Sequence, residues 1–119
     1  SIASDVGGGT GLSMLHTCAE GYKVGQARGH QMHPTEAFYA ITAGNAKSLG
    51  LADEIGQLRP GYSADLVVLN PSKPQGLAER YATCEELTDA LFALMMLSDD
   101  RSIERCYIAG KLAYSASAQ

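Results

Sequence analysis

Asp5 is the side chain of this sequence best placed to do chemistry. It follows the short stretch Ser1-Ile2-Ala3-Ser4 and stands just ahead of Gly7-Gly8-Gly9. At that position the carboxyl end of a strand presents a side chain to a site above a barrel. A carboxylate there can bind a metal ion. It can also accept a proton from a water that the metal acidifies, and return it to a leaving amine. Pattern alone favours a plainer reading, an exposed Asp that opens a turn.

The three histidines form a rival metal set, because imidazole is the commonest nitrogen ligand of zinc. His16 falls inside a helical stretch, and His30 and His33 fall in a loop without a His-x-x-x-His spacing. They are expected as surface or capping residues and receive no site role. Gly7-Gly8-Gly9-Thr10-Gly11 ahead of a helix suggests an anion cradle, since glycine amides and a helix N-terminus both favour negative charge. No Lys-Ser/Thr follows it, and Leu12 occupies the third glycine position of a dinucleotide fingerprint. A self-standing anion-binding or interaction module without catalysis therefore stands as the alternative reading. Cys18, Cys84 and Cys106 are odd in number and far apart. That argues against a disulfide framework or a zinc knuckle, and for a cytoplasmic setting.

The elements that must position these residues follow from spacing. The glycine run has to be a loop. Leu15, Cys18, Ala19 and Tyr22 recur at helical intervals from Ser13 to about Ala27, with Gly29 as the stop. Pro34 at a first helical position, with Glu36 in the first turn, opens a second helix. Its face is marked by Ala37, Phe38, Ile41 and Leu49, and Gly50 caps its end. The period then changes. Ile55–Leu58 and Ala64–Leu69, joined by Arg59-Pro60-Gly61-Tyr62, predict two strands, the second buried on both faces. Pro71 and Pro74 break it, and Thr83-Cys84-Glu85-Glu86 predicts a capping box before a helix running to about Leu97. Its Met95-Met96 reads as core or subunit contact rather than a cofactor pocket. Ile103–Ala109, Gly110-Lys111 and Leu112–Tyr114 predict a terminal hairpin, and Ser115–Gln119 a frayed end.

Composition sets outer bounds. The 119 residues are 45% hydrophobic and 18% charged, which is globular rather than disordered. With 9 basic against 13 acidic residues the net charge is −4, and no Lys/Arg cluster is present to neutralise phosphates, so no nucleic-acid partner is expected. No run approaches the ~18 apolar residues of a membrane span, so no membrane partner is expected either. The chain lacks an initiator Met and runs straight into the glycine turn, as if it began inside a strand. It reads as a piece of something longer.

Ser4-Asp5-Val6-Gly7-Gly8-Gly9, Ser13-Met14-Leu15 and Ala19–Val24 together resemble the end of the catalytic barrel in guanine deaminases, within the amidohydrolase superfamily. Pro34–Phe38, Ala43–Leu51 and Ile55–Leu69 are similar to the shared tail of many amidohydrolases. Leu91–Arg101 and Cys106–Lys111 resemble the guanine deaminase ending more narrowly. The resemblance implies an α/β fold: the terminal strand and helix of a (β/α)8 metal-dependent hydrolase barrel, plus strands of a small composite β domain. Residues 1–50 would hold the barrel end and a bridging helix, and residues 51–119 the β-rich portion with one inserted helix. It further implies a zinc-dependent purine aminohydrolase converting guanine to xanthine and ammonia, with Asp5 as metal ligand and proton shuttle. A related amidohydrolase with another substrate is the third reading. The family's metal-binding histidines, catalytic glutamate and purine-recognition residues are expected upstream of Asp5. No substrate-binding residue is therefore assigned, and the chain alone is expected to hold no zinc and to be inactive. His33 departs from the family, where Ser or Thr is commoner before Pro34, which touches capping only. Asp65 matches a family position with an implied role in a turn contact. Orphaned apolar surface, around Ile2-Ala3 and the Leu15, Cys18 and Tyr22 face, predicts a homo-oligomer.

Overall fold

The computed structural model describes residues 1–9 and 11–116. Helix α1 spans Met14–Ala27. Its start is set by Ser13, whose hydroxyl accepts the His16 amide at 3.3 Å and so satisfies one unpaired donor of the first turn. Gly29, at φ +78°, ends it. Helix α2, Pro34–Ile41, is capped by His33, the Nδ1 of which accepts the Thr35 amide.

The predicted single helix from Pro34 to Leu49 is in fact two. Thr42 leaves helical geometry at φ −124° and ψ −105°, and α3 covers Ala43–Ser48. Thr42 Oγ1 donates to the Phe38 carbonyl at 2.6 Å, the local bond by which threonine competes with helix geometry. Gly44 lies against Tyr39 so closely that a Cβ there would stand 2.9 Å from the Tyr39 carbonyl. With the break, Leu49 turns outward and is 70% exposed instead of lying on the buried face.

Ile55–Leu58 is not a strand. Leu51 to Ile55 turns on itself through Glu54 and Ile55 amides donating to the Leu51 carbonyl. Gly56, at φ +87°, presses its backbone onto α3, where a Cβ would meet that of Ala46 at 2.8 Å. The second predicted strand is present as β1, Leu66–Leu69. It is an edge strand rather than one buried on both faces, and Val67 is 55% exposed.

Between β1 and the predicted long helix lies a helix the sequence reading did not contain: α4, Gln75–Tyr81, which fully buries Leu77. Pro71 and Pro74 end the strand as expected, and Pro74 also caps α4. The predicted capping box at Thr83 does not form. Thr83 Oγ1 instead donates to the Arg80 carbonyl at 2.8 Å, closing α4. Glu86 caps α5, Leu87–Leu97, without a side-chain bond. A 3-10 turn at Asp100–Ser102 leads to β2, Ile103–Ile108, and β3, Lys111–Ser115. The hairpin turns at Ala109 and Gly110, both at positive φ (48° and 76°), as a tight turn matched to strand twist requires. The sheet is antiparallel in the order β1-β2-β3, with Leu66 opposite Tyr107 and Cys106 opposite Tyr114. Ser115 closes β3 rather than fraying, while residues 117–119 of the predicted frayed end lie outside the described residues.

Cys18, Ala37 and Met95 form the fully covered centre where α1, α2 and α5 meet, with Ile2, Tyr22, Phe38 and Phe92 packed around it. Tyr22 and Phe92 meet edge to face at 5.3 Å, a geometry worth about 0.5–1.5 kcal/mol beyond the area buried. Met95 is 1% exposed, so its side chain belongs to the core. Burial also pushes the Cys18 thiol pKa up, and its S–H donates to the Ala37 carbonyl at 3.6 Å.

Candidate active site

The segment that carries Asp5 lies on the helical layer rather than in a sheet. Among the described residues, none of β1–β3 pairs with Ile2-Ala3. Its backbone is engaged by helices instead. The Ile2 amide donates to the Ala40 carbonyl of α2 and to Asn45 Oδ1 of α3, each at 3.2 Å. Asn45 Nδ2 in turn donates to the Ile2 carbonyl at 2.8 Å.

Asp5 itself adopts φ +50°, a left-handed conformation that Asp tolerates better than most residues. Its carbonyl accepts the Gly8 amide at 2.9 Å and the Gly9 amide at 2.6 Å, closing a turn under the carboxylate. The glycines are there for space. A Cβ on Gly8 would sit 2.7 Å from Asp5 Oδ2, and one on Gly9 would sit 1.8 Å from the Ser4 carbonyl oxygen. The loop expected from the glycine run is therefore built around Asp5, whose side chain is exposed. An accessible carboxylate on a conformationally uncommon residue can accept a proton or hold a cation. Thr10, within the same run, lies outside the described residues.

The histidines are dispersed. His16 lies 3.5 Å from Glu20, His30 lies 3.4 Å from Glu36, and His33 caps α2. Among the described residues no group of three or more His, Cys, Asp and Glu side chains could hold a metal ion. Zinc takes three or four protein donors, so the single Asp5 carboxylate does not by itself fit the metal that the resemblance implies. Two shallow depressions, one lined by Leu58, Arg59 and Tyr62 and the other by Lys73, Arg101 and Tyr114, do not include Asp5. No helix among the described residues is long and apolar enough to cross a membrane.

Asn45 was missed as a member of this region. No sequence signal placed it there: Asn45 lies between two small residues, Gly44 and Ala46, whose burial only the fold reveals.

The pattern of the Amidohydrolase family matches residues 1–113, and the chain belongs to that family. More narrowly, it is 47% identical over 113 residues to the guanine deaminase of Escherichia coli strain K12, covering 95% of this chain and 26% of that one. The solved E. coli guanine deaminase superimposes on 94% of the chain with a TM-score of 0.91. Guanine deaminase from Bradyrhizobium japonicum superimposes with a TM-score of 0.82 at 29% identity, over 94% of this chain and 30% of that one. An adenosine deaminase from Xanthomonas campestris, solved with bound zinc, shares the fold at 21% identity and a TM-score of 0.72, over 87% of this chain and 23% of that one. The chain thus spans about a quarter of the length of the relatives it matches.

Proposed function

We propose that this chain is part of a guanine deaminase, which hydrolyses guanine to xanthine and ammonia. The observation that carries the reading is the combined 47% identity and 0.91 TM-score with the E. coli enzyme, over 95% and 94% of the chain. In the reaction, water adds to the amine-bearing ring carbon, the C–N bond to the amine breaks, and the departing nitrogen needs a proton. Asp5 is the group that takes a proton from the attacking water and delivers it to the amine, ending in its starting state. Its exposure and the turn beneath it leave the carboxylate free to meet both partners.

Zinc belongs to this reading as the cofactor of the whole protein, with Asp5 as one donor among others that this chain does not supply. In the same reading residues 1–50 contribute the end of a (β/α)8 barrel and a bridging helix, and residues 51–119 part of a composite β domain. Three free cysteines accord with a cytoplasmic setting.

The test is ammonia release by the full-length protein containing these residues, offered guanine, adenine and adenosine separately. Turnover on guanine in excess of the other two is expected, and none from the isolated chain. Preference for an adenine compound would move the reading to another amidohydrolase substrate, and guanine turnover by the chain alone would overturn its dependence on the rest of the protein.

A further inference from the structure

We infer that Asn45 positions Asp5: its side-chain amide holds the Ile2 backbone at both its N–H and its C=O, and so fixes where the segment delivers the carboxylate. The inference rests on the role given to Asp5 above.

A carboxamide side chain carries the same donor and acceptor groups as a peptide unit. Asn45 uses both on one residue, accepting from Ile2 N–H at 3.2 Å and donating to Ile2 C=O at 2.8 Å. A single bond would leave a hinge, whereas the pair forms a closed ring and fixes orientation as well as distance. Asn45 thereby replaces, from a helix, one rung of the ladder that a neighbouring strand would provide. Its own place is set by packing. Gly44 is wedged against Tyr39, and Ala46 meets the Gly56 backbone. Ile2 is in turn packed on the Cys18, Ala37 and Met95 cluster.

From Ile2 the chain reaches Asp5 within about 10 Å even when extended. Beyond Asp5, the Gly8 and Gly9 amides close on its carbonyl. The carboxylate is thus carried between two anchors, and Asn45 is the side-chain half of the first. Misplacement of a reacting group by about 1 Å can cost about 100-fold in rate. Asn45→Asp keeps the size but loses the donor and sets an anion against the Ile2 carbonyl. Asn45→Gln keeps both groups but displaces them by one methylene.

The experiment compares kcat and KM for guanine, per folded molecule, in the full-length protein and its Asn45→Asp, Asn45→Gln, Asp5→Asn and Asp5→Asn/Asn45→Asp variants. Hydrogen exchange of the peptide covering residues 1–9 is followed alongside. The expected result is a fall in kcat of about 10- to 100-fold in both Asn45 variants. KM should hold within about twofold, and exchange should be faster at Ile2. The double variant should turn over no more slowly than Asp5→Asn alone, because a carboxylate already removed cannot be misplaced. Wild-type kcat in both Asn45 variants, unchanged exchange at Ile2, or losses that multiply in the double variant would each overturn the positioning role while leaving Asp5 intact. Wild-type turnover in Asp5→Asn would instead remove the role of Asp5, and this inference with it. Two Asn45 variants are used so that poor folding of one leaves the comparison standing.

Discussion

The Asp65 carboxylate accepts the backbone amide of Ala109 at 2.7 Å, tying the start of β1 to the turn of the β2–β3 hairpin. Ser63 Oγ donates to its other oxygen at 3.1 Å, and the neighbouring Gly110 amide donates to the Ala64 carbonyl at 3.0 Å. The turn contact implied for Asp65 is therefore made, and its work is to hold a left-handed Ala in place. Asp65→Ala should destabilise by about 1–2 kcal/mol, since a hydrogen bond to a charged group is lost at an exposed site. Asp65→Asn, which keeps an acceptor, should cost less. Denaturant titration of the two variants gives the comparison, and equal midpoints for wild type and Asp65→Ala would refute it.

Asp5→Asn in the full-length protein should fold almost normally, because Asn is as tolerant as Asp of φ +50° and keeps the size of the side chain. Turnover should fall by about 100-fold or more, the range general acid–base groups contribute. Melting and ammonia-release measurements separate the effects. Wild-type kcat would return Asp5 to the status of a turn residue.

Two glycines of the same turn should respond differently to alanine. Gly7 has φ +99° with open space around it, so Gly7→Ala meets only the left-handed penalty of about 1–2 kcal/mol. Gly9→Ala meets the Ser4 carbonyl and has to open the turn that carries Asp5. Its kcat should drop by about 100-fold, with Gly7→Ala much nearer wild type. Reversal of that order would show that the turn does not hold the carboxylate.

Helix α1 and the hairpin were legible because their signals are local. Ser13 and Gly29 bracket a clean helical spacing, and Gly110 marks a turn that only left-handed residues complete. The break at Thr42 was not, because helical spacing does not show where a threonine hydroxyl turns back to its own Phe38 carbonyl; nor were the turn at Gly56, which rests on Ala43 and Ala46, and the helix α4, a short run with one buried apolar residue, Leu77. The same division runs through the site. Asp5 stood out beside its glycines, whereas nothing in the sequence brings Asn45 to Ile2, a contact across 43 positions.

Glu104 on β2 joins Lys73 at 3.0 Å and Asn70 at 3.3 Å, both in the loop after β1. The Lys73 hydrogen bond, then that of Asn70, holds its carboxyl below the usual carboxylate range. A lowered folded value means the contribution to stability is present above the unfolded pKa, about 4.3, and is lost as pH falls through the folded one. Melting temperature should therefore drop more steeply on acidification in wild type than in Glu104→Gln, the two converging at the acid end. Parallel curves down to the lowest pH would contradict the contribution.

The chain expressed as residues 1–119 should self-associate. The surface expected to drive this is covered instead, because Cys18 is 0% exposed and Ile2 and Tyr22 pack on its cluster; Val67, Ile108 and Leu112 are 55%, 64% and 57% exposed on the sheet, and β1 and β3 are its two outer strands. Open strand edges and contiguous apolar surface both favour pairing between chains. Sedimentation at several concentrations reads this directly, and a monomer throughout would count against the expected homo-oligomer.

The meeting of Cys18, Ala37 and Met95 also dictates an order of events on the ribosome. Residues 18 and 37 leave the exit tunnel well before Met95, so α1 and α2 emerge with their shared apolar faces unfilled and wait for α5 to be made. Domains emerging N-terminal first ordinarily fold as they appear. Here α1 and α2 must stay loosely organised until α5 has been made. That interval, rather than the finished protein, is when a chaperone would have most to hold.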